Sequence, residues 1–491
     1  MVDIANDQGA TTRARWSLVI TLVLFVAVSA VLVPLTALGD ERMSVFDEPT
    51  HADWVWRIAN GDLVIRGATI DPEILREWSC RQSAWGEFMY VPPCDSVPND
   101  PVTYSAFGVN YNHFHAPLYY AITAAGALAV QWVAPVESFV NAARLVGVLW
   151  LAGAMAGVYA VARQLGVRRS TARAAGVLLG LLPLVLHTSS IVSNDAALGV
   201  VGAALVWVAL RSVMVRVPVL VVGAVGVVAG LTKVVTFPAA AAAVLIMVGV
   251  ALVWRAPGPQ RRRLLVGAMT LAVGFTLAQA AWLGVQTLRA PDGDYVDPVP
   301  GDVVTEGFPL GVIVSTALDT LPPTNDPVRR SIESPGVVVE VWHRVTDLML
   351  LLVPVGLVAT GAGAAVRLRR DVRLSPPGMG GDADAGERLA GSAVDDRAGV
   401  DDRVCDLRWL GVPVGVSVVV GLMMGAVVLN LQHWLAKGSA LSYIHPRYGL
   451  ALAPVLVAGL AMLADRHRLT RRALWVVVGV GAVVMVGSLL V

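Results

Sequence analysis

The chain has 491 residues, of which 56% are hydrophobic and 15% charged, with a formal net charge of +1 and a mean hydropathy of +0.66. These values exclude a water-soluble globule. Repeated apolar runs long enough to cross hydrocarbon predict an all-α, polytopic membrane protein, and no feature points to nucleic acid as a partner.

The first apolar segment, residues 16–38, follows Arg13 and Arg15, so the N-terminus is expected in the cytoplasm. The run is too long for the core of a signal peptide and no small-x-small site follows it, so it reads as a retained span. Residues 39–115 then form a large first exterior loop. Further apolar segments lie at 116–134, 141–162, 173–192, 196–214, 218–231, 236–254 and 264–287. A second exterior loop covers 288–344, and spans follow at 346–366, 409–434, 447–464 and 473–491. The result is a bundle of about eleven transmembrane helices.

Basic clusters assign the sides. Arg261-Arg262-Arg263, Arg367 to Arg370 and Arg466 to Arg472 are expected in the cytoplasm of a plasma-membrane protein, which puts the turn before Arg447 outside. One conflict follows: an even number of crossings must separate the two exterior loops, yet seven apolar segments lie between them. One must fold back or two must merge, and the short segments around Asp195 and Lys233 are the first candidates. Residues 375–403 are rich in Gly and Asp and poor in large apolar residues, which predicts a disordered cytoplasmic linker. That linker, 367–408, divides an N-terminal module, 1–366, from C-terminal helices at 409–491. The absence of an internal repeat weighs against transporters built from duplicated halves.

The first loop holds the polar residues that stand out. Asp47-Glu48-Pro49 reads as a helix start, with Gly61 as the stop and Trp54 and Trp56 suited to a membrane interface. Either acid is a cap or a chemical group; Asp47 is also open to a loop ion pair. His51 lies on the same short helix. His113 and His115 precede Pro117 as substrate contacts, metal contacts or interfacial residues, a His-x-His being a weak metal signal. Tyr119 and Tyr120 are interfacial or line a groove. Cys80 and Cys94 share this loop and are disulfide candidates in an oxidising compartment, whereas Cys405 is expected to be cytoplasmic and reduced.

Three later features break apolar runs: Ser193-Asn194-Asp195, Leu231-Thr232-Lys233 and His445-Pro446-Arg447-Tyr448. Ionisable groups within spans pair or line a cavity, and Asp195 with Lys233 is one such pairing. Arg447 offers a two-pronged donor to phosphate, or anchors the helix end with Tyr448.

The order of these motifs resembles that of the C-type (GT-C) membrane glycosyltransferases, which include the protein O-mannosyltransferases and the lipid A aminoarabinose transferases. Asp47-Glu48 with His51 matches the acidic motif after the first span. His115-Ala116-Pro117-Leu118-Tyr119-Tyr120 matches the opening of the next, with Ala116 where a further proline is common. Ser193-Asn194-Asp195-Ala196, Leu231-Thr232-Lys233 and Arg447-Tyr448 look like motifs of poorly characterised bacterial relatives. The resemblance covers most of the chain outside 375–403.

The resemblance implies six crossings between the exterior loops and transfer of a sugar from a polyprenyl-phosphate donor to an exterior acceptor. Asp47 and Glu48 are then the catalytic candidates. His51, His113, His115, Tyr119, Asn194, Asp195, Lys233, Arg447 and Tyr448 are the substrate-binding ones. A divalent cation, Mg or Mn, on Asp47 or Glu48 is an alternative source of positive charge. The competing readings are a transporter or flippase of a polyprenyl-linked lipid and a non-catalytic membrane subunit.

Overall fold

The computed structural model describes residues 3–39, 41–84, 90–94, 100–253, 256–291, 303–304, 310–319, 324, 336–374, 407–437, 439–441 and 444–490. The expected linker at 375–403, Cys405 and much of 288–344 lie outside them.

The fold is an all-α bundle. Among the described residues, nine helices are long and apolar enough to cross a membrane, or ten when a broken pair is taken as one span. The broken pair, Arg169–Gly180 and Pro183–Ser190, bends by 63°. The bend falls where Leu181 and Leu182 separate the two helices and Pro183 opens the second, a position at which its missing N–H costs nothing. The only described strand pairing joins Val303–Val304 to Ala440–Leu441.

The apolar segment at 116–134 forms a shorter helix than the nine candidate spans. Its helix, Leu118–Val133, runs beside the start of the following span, with Tyr119 against Trp150 and Gly126 against Val146. Just beyond it, Ser138 accepts a hydrogen bond from Arg81 of the first loop at 2.9 Å. Both flanks of the helix therefore belong to the same face of the bundle.

Helix Glu48–Ala59 ends before Gly61, which adopts φ 79°. Residues Glu48 to Val55 are all buried, and Trp54 is enclosed between Tyr120 and Trp282 with its indole N–H on the Asn112 carbonyl. Helix Pro72–Arg81 carries Cys80, and a disulfide joins it to Cys94 as expected.

Four described spans begin with 3₁₀ turns, Leu407–Leu431 among them. The other three, Asn194–Met214, Val234–Leu252 and Pro446–Ala464, are the most buried of the nine, at 67, 67 and 78%. Irregular backbone at membrane depth survives only where protein or a cavity covers it, so these breaks belong in the middle of the bundle. Close packing holds them together. A Cβ on Gly202 would lie 1.7 Å from the Ala451 carbonyl oxygen, so only glycine lets the first and third of these spans touch there.

Candidate functional site

The polar breaks and the first loop meet on one side of the bundle. Ser193 is extended and its hydroxyl accepts from the Asp195 N–H, which turns Asp195 inward. Lys233 is extended at the end of helix Val219–Thr232, and Thr236 covers the exposed carbonyls of Ala229 and Lys233. His445-Pro446 starts the 3₁₀ turn that carries Arg447.

The four charges form a chain of alternating sign. Lys233 Nζ donates to Asp195 Oδ1 at 2.5 Å. Arg447 Nε lies 3.6 Å from Asp195 Oδ2, and an Arg447 terminal nitrogen lies 3.5 Å from Asp47 Oδ2. The guanidinium also sits over the Phe46 ring at 4.2 Å, a cation–π contact, with Tyr448 at 5.8 Å from both Arg447 and Lys233. Arg447, Asp195 and Lys233 are buried, whereas the Asp47 side chain is 31% exposed.

Asp47 does not cap its helix with its carboxylate. It occupies the preceding position at φ 59°, ψ 23°, and only its backbone carbonyl serves the helix, accepting from the Thr50 hydroxyl and the His51 N–H. A left-handed conformation at a non-glycine residue costs of order 1–3 kcal/mol and is retained where surrounding structure imposes it. It frees the side chain, whose Oδ1 accepts from the Tyr111 hydroxyl at 2.8 Å.

Glu48 is used differently from its neighbour. It is fully buried and accepts Arg144 through both oxygens, at 2.7 and 2.8 Å. The Ser44 and Val192 N–H groups donate to the same oxygens at 2.7 and 2.9 Å. Burial pushes the Glu48 carboxyl up, but Arg144 and these two N–H donors outweigh it and hold the group below the usual carboxylate range. Arg144 also donates to the carbonyls of Ala37 and Arg42. The pair ties the first span, the first loop and two later spans together. With four hydrogen bonds reaching its two oxygens, Glu48 is held as an anchor between these elements.

His51, Tyr120 and Asn194 form a second line. Asn194 Nδ2 donates to the Tyr120 oxygen at 3.1 Å, and that oxygen lies 2.8 Å from His51 Nδ1. His115 stacks on His51 at 5.5 Å. Burial, reinforced by the charges of Lys233 and Arg447, holds both imidazoles well below the usual histidine range, so they are neutral near pH 7. Asn194 Oδ1 and His115 Nδ1 are buried without a hydrogen-bond partner among the described residues, two polar atoms that a ligand would satisfy.

Not every expected residue joins this cluster. His113 lines a separate cavity of about 400 Å³ with Arg66 and Gln286. Tyr119 packs against Trp150 and Tyr120 and hydrogen-bonds to Thr123 and the Ser193 backbone, whereas Tyr120 meets His51 and Asn194. No local signal singles out Tyr111 or Phe46, because their contacts come from folding the loop over Asp47 and Arg447.

An apolar cavity of about 410 Å³ adjoins the charges. Phe237, Phe275, Leu422 and Ile444 are among its walls, and His115 and Tyr448 border it nearest the ion pairs. The donor set does not suit a divalent cation. Glu48 is saturated, Asp47 and Asp195 each face a cation, and no group of three or more His, Cys, Asp or Glu gathers among the described residues. Comparisons with protein families, curated proteins and solved structures find no match for this chain.

Proposed function

We propose that the protein is a membrane glycosyltransferase of the GT-C type that moves a sugar from a polyprenyl-phosphate donor to an acceptor hydroxyl, with inversion. The observation that carries this reading is the meeting of Asp47 with Arg447 beside an apolar cavity. A lipid-phosphate sugar needs three things at one place: cations for its phosphate, an apolar channel for its chain and a base near its anomeric carbon.

In the proposed reaction, Asp47 takes the proton of the acceptor hydroxyl as the new C–O bond forms at the anomeric carbon. The bond from that carbon to the phosphate oxygen breaks, and its electron pair leaves on the phosphate. Arg447 and Lys233 stabilise that charge in a site largely closed to water, where a fixed cation acts more strongly than in solution. The cavity from His115 and Tyr448 takes the prenyl chain. Asn194 Oδ1 and His115 Nδ1 accept sugar hydroxyls.

The proposed topology follows. With Leu118–Val133 folded back and the short helix Val219–Thr232 counted as a crossing, six traverses separate the two large loops and eleven cross in all. The N-terminus is cytoplasmic, and the site faces the exterior, where the Cys80–Cys94 disulfide belongs.

The test is transfer of a labelled sugar in membranes carrying Asp47→Asn or Arg447→Ala. Loss of transfer in both, with release of free polyprenyl phosphate by the unaltered protein, is the expected result. Full activity of Asp47→Asn removes the base. Movement of intact lipid without phosphate release makes the protein a transporter.

A further inference from the structure

Resting on the proposed transfer reading, we infer that His187 is a positioning residue for Arg447, acting through the ring of Phe46, and that the preference for a phosphate-bearing lipid depends on it. Phe46 lies in the turn at residues 45–47, between the first span and helix Glu48–Ala59, where the chain is neither helix nor strand. Its ring is nevertheless buried, 1% exposed, and lies against the Arg447 guanidinium at 4.2 Å. A cation–π contact is strongest when it is desolvated and the cation faces the ring, so the direction of this side chain matters. Asp47 is the next residue, so the same turn carries the proposed base.

His187 holds this turn in two ways. Its ring meets the Phe46 ring at 5.3 Å with the planes at 85°, the edge-to-face geometry that aromatic pairs favour. Its Nε2 lies 3.1 Å from Ser44 Oγ, which also accepts the Phe46 N–H at 3.3 Å. The Ser44 N–H donates to Glu48 at 2.7 Å, which ties the start of the turn into the Glu48–Arg144 anchor. His187 reaches the turn from helix Pro183–Ser190, and the chain then continues into the 3₁₀ turn Asn194–Ala197 that presents Asp195. One stretch of the bundle thus sets two neighbours of the guanidinium, the Asp195 carboxylate and the Phe46 ring. Leucine would serve core packing alone. The imidazole adds a polar tie to the turn, and in a buried setting such a tie fixes a geometry that apolar contacts leave loose.

Binding of farnesyl phosphate and of farnesol to the purified full chain, measured by titration calorimetry, tests this role. The unaltered protein is expected to prefer the phosphate. Phe46→Leu keeps an apolar side chain but removes the aromatic face, and it should cut that preference roughly ten-fold with farnesol binding unchanged. His187→Leu should lower the preference similarly, and His187→Gln, which keeps a polar atom for Ser44, should recover part of it. If His187→Leu fails to fold, Ser44→Ala removes the same tie from its other end and should have the same effect. Equal weakening of both ligands, or a melting temperature that falls while their ratio stays fixed, is the mark of packing alone and overturns the inference. A preference that survives Phe46→Leu and Ser44→Ala does so too, and both results leave the transfer reading standing. Absence of any preference in the unaltered protein removes the phosphate site itself, and the inference with it.

Discussion

The guanidinium of Arg447 stands 3.5 Å from the carboxylate of Asp47, a residue near the opposite end of the chain. The contact is longer than a close, hydrogen-bonded ion pair, and the same guanidinium is 3.6 Å from Asp195. Arg447 is therefore shared between two acids, and it is also hydrogen-bonded to Tyr448.

Asp47→Asn should abolish transfer, by about 10²–10⁴-fold for loss of a general base. The fold should persist, because the carboxylate caps no helix and its backbone carbonyl bonds are unaffected. Thermal unfolding of the purified variant, measured beside its activity, separates the two effects.

Glu48→Gln should behave in the reverse way, losing stability first. Breaking one member of a buried ion pair costs about 3–5 kcal/mol. The pH dependence has a defined sign. The folded Glu48 carboxyl is held below its unfolded range, so its contribution is complete above about pH 4.3 and falls as pH drops toward the folded value. Unfolding curves below that pH should be flatter in the Glu48→Gln variant.

His51 and His115 predict a second pH effect at higher values. Their folded forms resist protonation, so the stability they contribute is complete above about pH 6.5 and is lost as pH falls below it. A His51→Gln/His115→Gln variant should lose less stability between roughly pH 6.5 and 5, measured as melting temperature against pH.

Gly202→Ala tests whether helix packing sets the site. The added methyl would collide with the Ala451 carbonyl and must push apart the spans that carry Asp195 and Arg447. Overpacking costs typically about 1–3 kcal/mol. Transfer should fall by more than the melting temperature explains, and Gly249→Ala, which meets nothing within 4 Å, serves as the silent control.

The disulfide predicts thiol chemistry. Unreduced, denatured protein should label at one cysteine, Cys405, with Cys80 and Cys94 protected until a reductant is added. Opening the bond should raise hydrogen exchange across residues 72–94 first, because a loop of this length loses about 3 kcal/mol of restraint.

Membrane class, most helix positions, the two disulfide candidates and the polar breaks at Asp195, Lys233 and Arg447 were all legible from the residues alone. These are local matters: apolar run length decides a span, and a charge inside one is conspicuous because hydrocarbon penalises it. The packed bundle separated Asp47 from Glu48, two adjacent acids with different partners. Arg144, Ser44 and Val192 converge on Glu48, while Tyr111 and Arg447 converge on Asp47. It likewise brought Tyr120 onto His51 and Asn194. Side-chain partners distant in the chain decide such questions, and hydropathy reports only whether a segment prefers oil to water, not which neighbour it meets there.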